Sequence, residues 1–472
     1  MFRLYTNDEL FRGDFMLEML SEIIEIPSEK GEPAPNAPFG LECRRALDWF
    51  LKTASDMGFK TADLDGYCGY AEYGEGEEML GILCHLDVVP AGDGWTYPPY
   101  KLTIDQGKLF GRGVVDDKGS VVMCLSALNE IKQSGIKLNK RVRIIAGCDE
   151  EHGSSCIKHY VEHDEMPTLS FVPDSDFPII NSEKGILHLD VTCPLDSFFE
   201  NNIAAISGGD SYNVVPDKAF VSIFKDSPLG EKVLALGDKP FLRSELVGNI
   251  LAAGYQPDDF NLILKDKVVV IEAKGVAGHA MAPHKADNAI WKIFTILSAL
   301  EPNSSLVNLM NDTFCNHKTV SILGIDNEDE TGDQTVSMGI IDIDEKTLSF
   351  TLDFRCPVCN KKEFIEKAVK TVLPKGSKIS VHKYAPNLYI PADSLLVSSL
   401  LSVYEEVTGT KGECMICGGG TYARELNNAV AFGPTFKGTV TNIHNIDECV
   451  PVEEFYKAAE IYKQAIIKLA KD

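Results

Sequence analysis

Residues 79–87 read Met-Leu-Gly-Ile-Leu-Cys-His-Leu-Asp, and this stretch decides the fold. Its first six residues form a short, continuously apolar run, the mark of a strand buried on both faces. A polar pair, His85 and Asp87, follows at once. Two more such runs lie downstream, Val142 to Gly147 and Leu169 to Val172, with helical spacing over 118–133 between the first run and the second. Upstream, Ala46, Leu47, Phe50, Leu51 and Ala54 recur at three- and four-residue intervals, a helix with one buried face. Strands buried on both sides and separated by helices imply an α/β architecture with a mostly parallel sheet flanked by helices. Active sites in such sheets sit at the carboxyl ends of strands, so chemistry is expected in the polar clusters that follow the apolar runs.

The texture changes between 186 and 385. Strands expected at 267–273, 319–323 and 347–354 alternate more, and they pair with helices near 286–300 and 361–374. From about 390 the helix–strand alternation resumes and ends in an amphipathic helix over 452–470. The expected organisation is a discontinuous catalytic domain, residues 1–185 and 386–472. An α+β domain, 186–385, is inserted in it and is expected to form two small halves.

At 472 residues the chain exceeds one ordinary core and suits about three modules or two large ones. With 44% hydrophobic and 24% charged residues it reads as a globular protein. No stretch approaches the roughly 18 uncharged apolar residues of a membrane helix, and the first twenty residues interrupt their apolar positions with acids, so no secretory signal is legible. Seventy Asp and Glu against 45 Lys and Arg leave a net charge of −25, which repels nucleic acid and anionic lipid. Thirteen cysteines, an odd number, read as reduced thiols of a cytoplasmic protein.

Five clusters carry candidate chemistry, each beside a plainer reading. In Cys84-His85-Leu86-Asp87, residues 85 and 87 share a strand face, so Asp87 can hold the imidazole of a metal-binding His85 by its second nitrogen; alternatively they are a satisfied polar pair. In Gly111-Arg112-Gly113-Val114-Val115-Asp116-Asp117-Lys118-Gly119, adjacent acids suit either a metal or the positive end of a helix. Asp149-Glu150-Glu151 repel one another unless solvated or neutralised by a cation. Pro173-Asp174-Ser175-Asp176 ends an apolar run and alone looks like a turn. His444-Asn445-Ile446-Asp447-Glu448 follows the glycine-rich loop Gly418-Gly419-Gly420-Thr421, and alone His444 reads as a surface histidine.

Taken in order, these clusters make a complete two-metal inventory. They resemble the di-zinc metallopeptidases typified by carnosinases, aminoacylases and bacterial carboxypeptidases, and within them the bacterial dipeptidase V group. HLDVVPAGDGW, GRGVVDDKG, DEEHGS, PDSDFP, GVAGHA and GGGTYAR carry the resemblance, which runs from Pro27-Ser28 to the C-terminal helix. It implies His85, Asp116 and Asp174 on one metal, and Asp116, Glu151 and His444 on the other. It implies Glu150 as the general base on a metal-bridging water, with Asp87 supporting the site, and a cis Asp116–Asp117 peptide. His279 would stabilise the oxyanion. Arg355, Asn213 and the loop Gly418, Gly419, Gly420 and Thr421 would bind the substrate, Arg355 as a fork on its carboxylate; Thr421 could equally cap the following helix. Two divalent ions are implied; zinc suits imidazole and carboxylate ligands, and manganese or cobalt fits the same set.

The implied activity is hydrolysis of dipeptides with a free amine and a free carboxylate. The chain would supply both halves of its own lid and act as a monomer. Rival readings are a deacylase, desuccinylase or carboxypeptidase of the same family, a non-catalytic metal-stabilised binding protein, and a thiol hydrolase using Cys84. The pairs Cys356/Cys359 and Cys414/Cys417 lie too far apart for a zinc ribbon, which needs roughly 15–20 residues between pairs. No phosphate loop, dinucleotide fingerprint or serine-hydrolase elbow occurs.

Overall fold

The computed structural model describes residues 14–471 apart from 238. The first thirteen residues, most of the stretch read above for a secretory signal, lie outside them. The chain forms two compact units: the chain up to Ser182 joined with Leu388 onward, and Glu183–Asn387.

The first unit is built on a sheet with strand order Lys60–Leu64, Cys68–Tyr73, Arg141–Gly147, Met79–His85, Leu169–Val172, Ala429–Ala431, Ile179–Glu183 and Leu388–Tyr389. Met79–His85 runs parallel to both of its neighbours, and Ala429–Ala431 parallel to Leu169–Val172. The outer pairings are antiparallel, so the sheet is mixed around a parallel centre. Lys60–Leu64 and Cys68–Tyr73 are joined by a tight turn in which the Asp63 carboxylate accepts the Gly66 N–H. So short a link permits only antiparallel pairing.

Every residue of Met79–His85 is buried. Helices Leu41–Asp56, Lys118–Gln133 and Val452–Lys471 contribute Phe50, Leu125, Leu128, Ile461 and Ile466 to the same core. Each fully buried aliphatic side chain of this size contributes about 1.5–3 kcal/mol. Three strands of the parallel centre thus end, at His85, Gly147 and Val172, immediately before acidic segments.

The second unit is one eight-stranded antiparallel sheet ordered Phe260–Leu264, Val268–Lys274, Lys218–Phe224, Ile203–Gly208, Thr335–Ile343, Thr347–Cys356, Gly185–Pro194 and Lys378–Ala385. Its two four-stranded halves meet at a short seam, Ser207 opposite Asp342 and Gly208 opposite Ile341. A single apolar core that includes Leu187, Ile271, Phe294, Leu352 and Val369 serves both halves. The strand expected at 319–323 is instead the short helix Thr319–Ile322. The Thr319 hydroxyl donates to the Asn316 carbonyl at 2.7 Å, the Asn316 side chain accepts the Lys318 N–H at 2.8 Å, and Gly324 in the left-handed region ends the turn. These local bonds outweigh the strand preference of a Thr-Val-Ser-Ile run.

Among the described residues no helix is long and apolar enough to cross a membrane. None of the thirteen cysteines is in a disulfide.

Candidate metal centre

The strand ends deliver the acidic segments to one place. His85 closes Met79–His85 with its ring buried. Its Nδ1 lies 2.8 Å from the backbone carbonyl of Asp87, while the Asp87 carboxylate stands 3.6 Å away. The expected carboxylate hold on the imidazole is therefore made by the carbonyl. The Asp87 carboxylate instead accepts the N–H groups of Glu150 and Glu151, at 3.1 and 3.2 Å, and so fixes where those two acids start.

The three acids of 149–151 separate. Asp149 turns inward, pairs with Lys30 at 2.7 Å and bonds the hydroxyl and N–H of Ser155, at the start of helix Ser155–His163. Glu150 and Glu151 are left for the site.

His85 Nε2 is 2.8 Å from one Asp116 oxygen and 3.8 Å from Asp174. His444 Nε2 is 2.9 Å from the other Asp116 oxygen and 3.2 Å from Glu151. Two triads, His85/Asp116/Asp174 and Asp116/Glu151/His444, each bring their ligand atoms within 4.8 Å of one another and share Asp116. The Asp116–Asp117 peptide is cis, and Asp117 bonds the His85 N–H at 3.0 Å.

The electrostatics match an incomplete charge balance. Burial raises the carboxyls of Asp174 and Asp117 well above the ordinary aspartate range, and the neighbouring charge of Asp116 adds to it. Burial alone would also raise Asp116, but its bonds to His444 and His85 prevail and hold it low. The bonds to Asp116 and Glu151 push His444 up to about 10. Glu150, in neither triad, is pushed up to about 8, first by burial and then by Glu151, Asp116 and Asp87, against the opposing pull of His85. Oε1 of Glu151 and Oδ1 of Asp117 are buried without a hydrogen-bond partner. Orphaned carboxylate oxygens beside two three-donor sets of imidazole and carboxylate fit a pair of divalent cations.

Cys84 points away from this site. It alternates with His85 along the strand, and burial together with Cys124 raises its thiol well above the usual range. That removes the thiol-hydrolase reading. Among the described residues neither CxxC pair joins a metal-ligating group.

The glycine-rich loop is more occupied than expected. Thr421 caps the turn Tyr422–Glu425 by accepting the Ala423 N–H at 3.2 Å, the plainer of the two readings offered for it. The Gly419 N–H donates to Cys417 Sγ at 3.2 Å. Gly420 lies against the Arg424 guanidinium, where a Cβ would stand 2.1 Å from Nη2.

Asn213, His279 and Arg355 belong to the second unit. Val214 and Val215 pair with His279 and Gly278, which sets Asn213 beside the histidine, and the Asn213 carbonyl accepts the Ala280 N–H at 2.8 Å. His279 Nδ1 accepts the Met281 N–H at 3.0 Å, which leaves the ring proton on Nε2. Burial, then the charge of Arg355, lower its pKa. Nε and Nη2 of Arg355 donate to the two oxygens of Asp353, each at 2.8 Å. The fork expected for a substrate carboxylate thus faces an internal one.

Two residues quoted in the motifs but given no role prove central to the site's framework. Glu448 and Arg112 form a buried pair at 2.8 Å. Their signal was available: an arginine between two glycines, and an acid four residues after His444.

An aspartate shared between two imidazole-bearing triads, with His85, Glu151 and Asp174 placed by strands of the parallel centre and Asp116 and His444 by loops, is an arrangement suited to two metal ions. The chain belongs to the peptidase family M20/M25/M40, whose model matches residues 81–468, and is a hydrolase acting on peptide bonds. It is 34% identical over 447 residues, 93% of each chain, to a Bacillus subtilis (strain 168) protein with the name "Putative dipeptidase YtjP". Its fold is similar to those of the aminopeptidase PepT from Bacillus cereus (TM-score 0.57, 15% identity, 97% and 98% of the two chains covered) and human carnosine dipeptidase 1 (TM-score 0.53, 15% identity, 98% of each).

Proposed function

We propose that this chain is a metal-dependent dipeptidase of the dipeptidase V kind. It hydrolyses dipeptides that carry a free amine and a free C-terminal carboxylate. His85, Asp116 and Asp174 would hold one divalent ion, and Asp116, Glu151 and His444 the other; zinc suits the donor set. Two ions there would lower the pKa of water and polarise the scissile carbonyl.

The observation that carries the reading is Glu150. It sits next in chain to a ligand, belongs to neither triad, and has a carboxyl raised to about 8. A carboxyl beside both triads and in neither is suited to take a proton from the attacking water and return it to the leaving amine. Asp87 holds the N–H of Glu150 and thereby its position. His279, with its proton on Nε2, is suited to donate to the developing oxyanion. Arg355, Asn213 and the loop from Gly418 to Thr421 would recognise the substrate, and the carboxylate would have to draw Arg355 partly from Asp353. The names of the relatives support the dipeptide reading. Cysteines kept as thiols rather than disulfides support a cytoplasmic setting, and a second unit carrying both sheet halves supports a monomer.

A substrate panel tests this. Free dipeptides should be cleaved, and their C-terminal amides should lose roughly 10–100-fold in kcat/KM, the worth of a charge-assisted hydrogen bond. Acylated dipeptides and tetrapeptides should be poor substrates. Preference for N-acyl amino acids would replace this reading with a deacylase, and efficient tetrapeptide cleavage would replace it with a carboxypeptidase.

A further inference from the structure

His444 and Asp116 face each other across the second triad, yet they come from opposite ends of the chain. A short antiparallel strand pair, Cys449 opposite Phe110, brings the two segments together, but both residues lie in loops beyond its end, His444 five residues before it and Asp116 six after it. His444 stands in a turn with φ 62°, and its neighbours Asn442 and Asp447 are also left-handed. One residue in this turn reaches the Asp116 segment. Oε1 of Glu448 accepts the N–H groups of Val115 and Asp116 at 2.9 and 3.2 Å, and Oε2 accepts that of Gly113 at 3.0 Å. The Glu448 carbonyl accepts the Gly111 N–H at 3.1 Å. Gly113, at φ 86°, adopts a backbone that a residue with a Cβ resists.

The charge of Glu448 is matched by Arg112, 2.8 Å away, with both side chains 1% exposed. Trp95 covers Arg112, its ring centre 5.1 Å from the guanidinium carbon, and the Trp95 N–H is anchored on the Ala91 carbonyl at 2.7 Å. Trp95 of the Gly-Asp-Gly-Trp segment and Arg112 and Gly113 of Gly-Arg-Gly take part in this assembly.

We infer that Glu448, charge-paired with Arg112 under Trp95, is a positioning residue that registers Asp116 against His444 and so sets the affinity of the second metal site in particular. The inference rests on the two-metal reading. The first triad shares this dependence only through Asp116: His85 closes a strand of the parallel sheet, Asp174 lies two residues past another, and His85 is held by Asp117 and the Asp87 carbonyl. Only Asp116 is common to both. A carboxylate that accepts three backbone N–H groups cannot be replaced by an amide without turning one acceptor into a donor.

The test is stepwise zinc binding to the metal-stripped full-length protein, by calorimetry with a competing chelator, for wild type and Glu448→Gln. The expected result is a second ion bound roughly 10–100-fold more weakly in the variant, the usual effect of losing an outer support, with the first ion changed by less than about 3-fold. Turnover in the variant should recover as zinc is raised. A residue that only stabilised the fold would weaken both ions alike or neither, and either outcome overturns the inference. Should Glu448→Gln misfold with Arg112 left unpaired, the double variant Arg112→Met/Glu448→Gln removes the buried charge and should show the same selective loss. A wild-type protein that binds only one ion would instead overturn the two-metal reading and leave Glu448 without this role.

Discussion

The two triads are built in different ways although they share Asp116. His85 is 1% exposed and closes a strand buried throughout, with Asp174 two residues past another strand. His444 is 53% exposed and stands in a turn of left-handed residues, tied down by Asp447 to Thr96 and by Glu448 to the Asp116 segment. One half takes its geometry from the central sheet, and the other takes most of it from loop hydrogen bonds that extend a short strand pair, Cys449 opposite Phe110. The sheet half should therefore fail only with the fold, whereas the loop half should fail piecemeal.

The largest effect is expected where the loop half meets the chemistry. Glu150→Ala should lower kcat by about 10²–10⁴-fold, the range of general acid–base catalysis, while two ions per chain remain on metal analysis. Loss of an ion together with activity would make Glu150 a ligand.

Next comes the sheet half. Arg143 on strand Arg141–Gly147 is 3% exposed, pairs with Glu72 and Asp164 at 2.6 and 2.7 Å, and lies 3.8 Å over the Tyr70 ring. Arg143→Ala leaves the buried Glu72 with only its longer contacts to Lys60 and Arg141, at 3.4 and 3.5 Å, and should cost about 1–3 kcal/mol, read as a drop in urea midpoint. A drop of less than 1 kcal/mol would show that the sheet does not depend on this pair.

The metal-free protein sharpens the contrast through pH. His444 is raised from 6.5 to about 10, so its contribution to stability is full below pH 6.5 and is lost as pH rises through 10. Glu150 is raised from 4.5 to about 8, so its ionisation penalises folding increasingly across that interval. Both signs agree: the stripped protein should lose thermal stability between pH 6 and 9. Metal competes with the His444 proton, so zinc affinity should rise and proton release fall over the same range. Stability flat with pH would contradict the assigned contacts.

The smallest effect is a silence. Thiol reagent at pH 8 should label exposed Cys359 and leave Cys84, Cys148 and Cys315 unreacted in the native protein, since burial raises all three.

The contrast also explains what could be read from sequence. A strand buried on both faces announces itself as an apolar run, and the polar residues at its end follow by position, so the place of His85 at a strand end was legible. His444 was not legible on its own; a loop ligand has no periodicity, and only the ordered set of motifs pointed to it. Glu448 was passed over because a buried acid serving backbone N–H groups looks, in sequence, like any surface acid. The 319–323 segment misled because Thr, Val and Ile favour strands while the Asn316 and Thr319 bonds act on a scale that composition does not register. The antiparallel flanks escaped because short hairpin strands lack a long apolar run.

The central claim is two ions sharing Asp116, and anomalous scattering at the zinc edge from crystals of the protein grown with zinc tests it most directly. The account predicts two peaks, one among His85, Asp116 and Asp174, and the other among Asp116, Glu151 and His444. A single peak, or a second one away from Asp116, would contradict it.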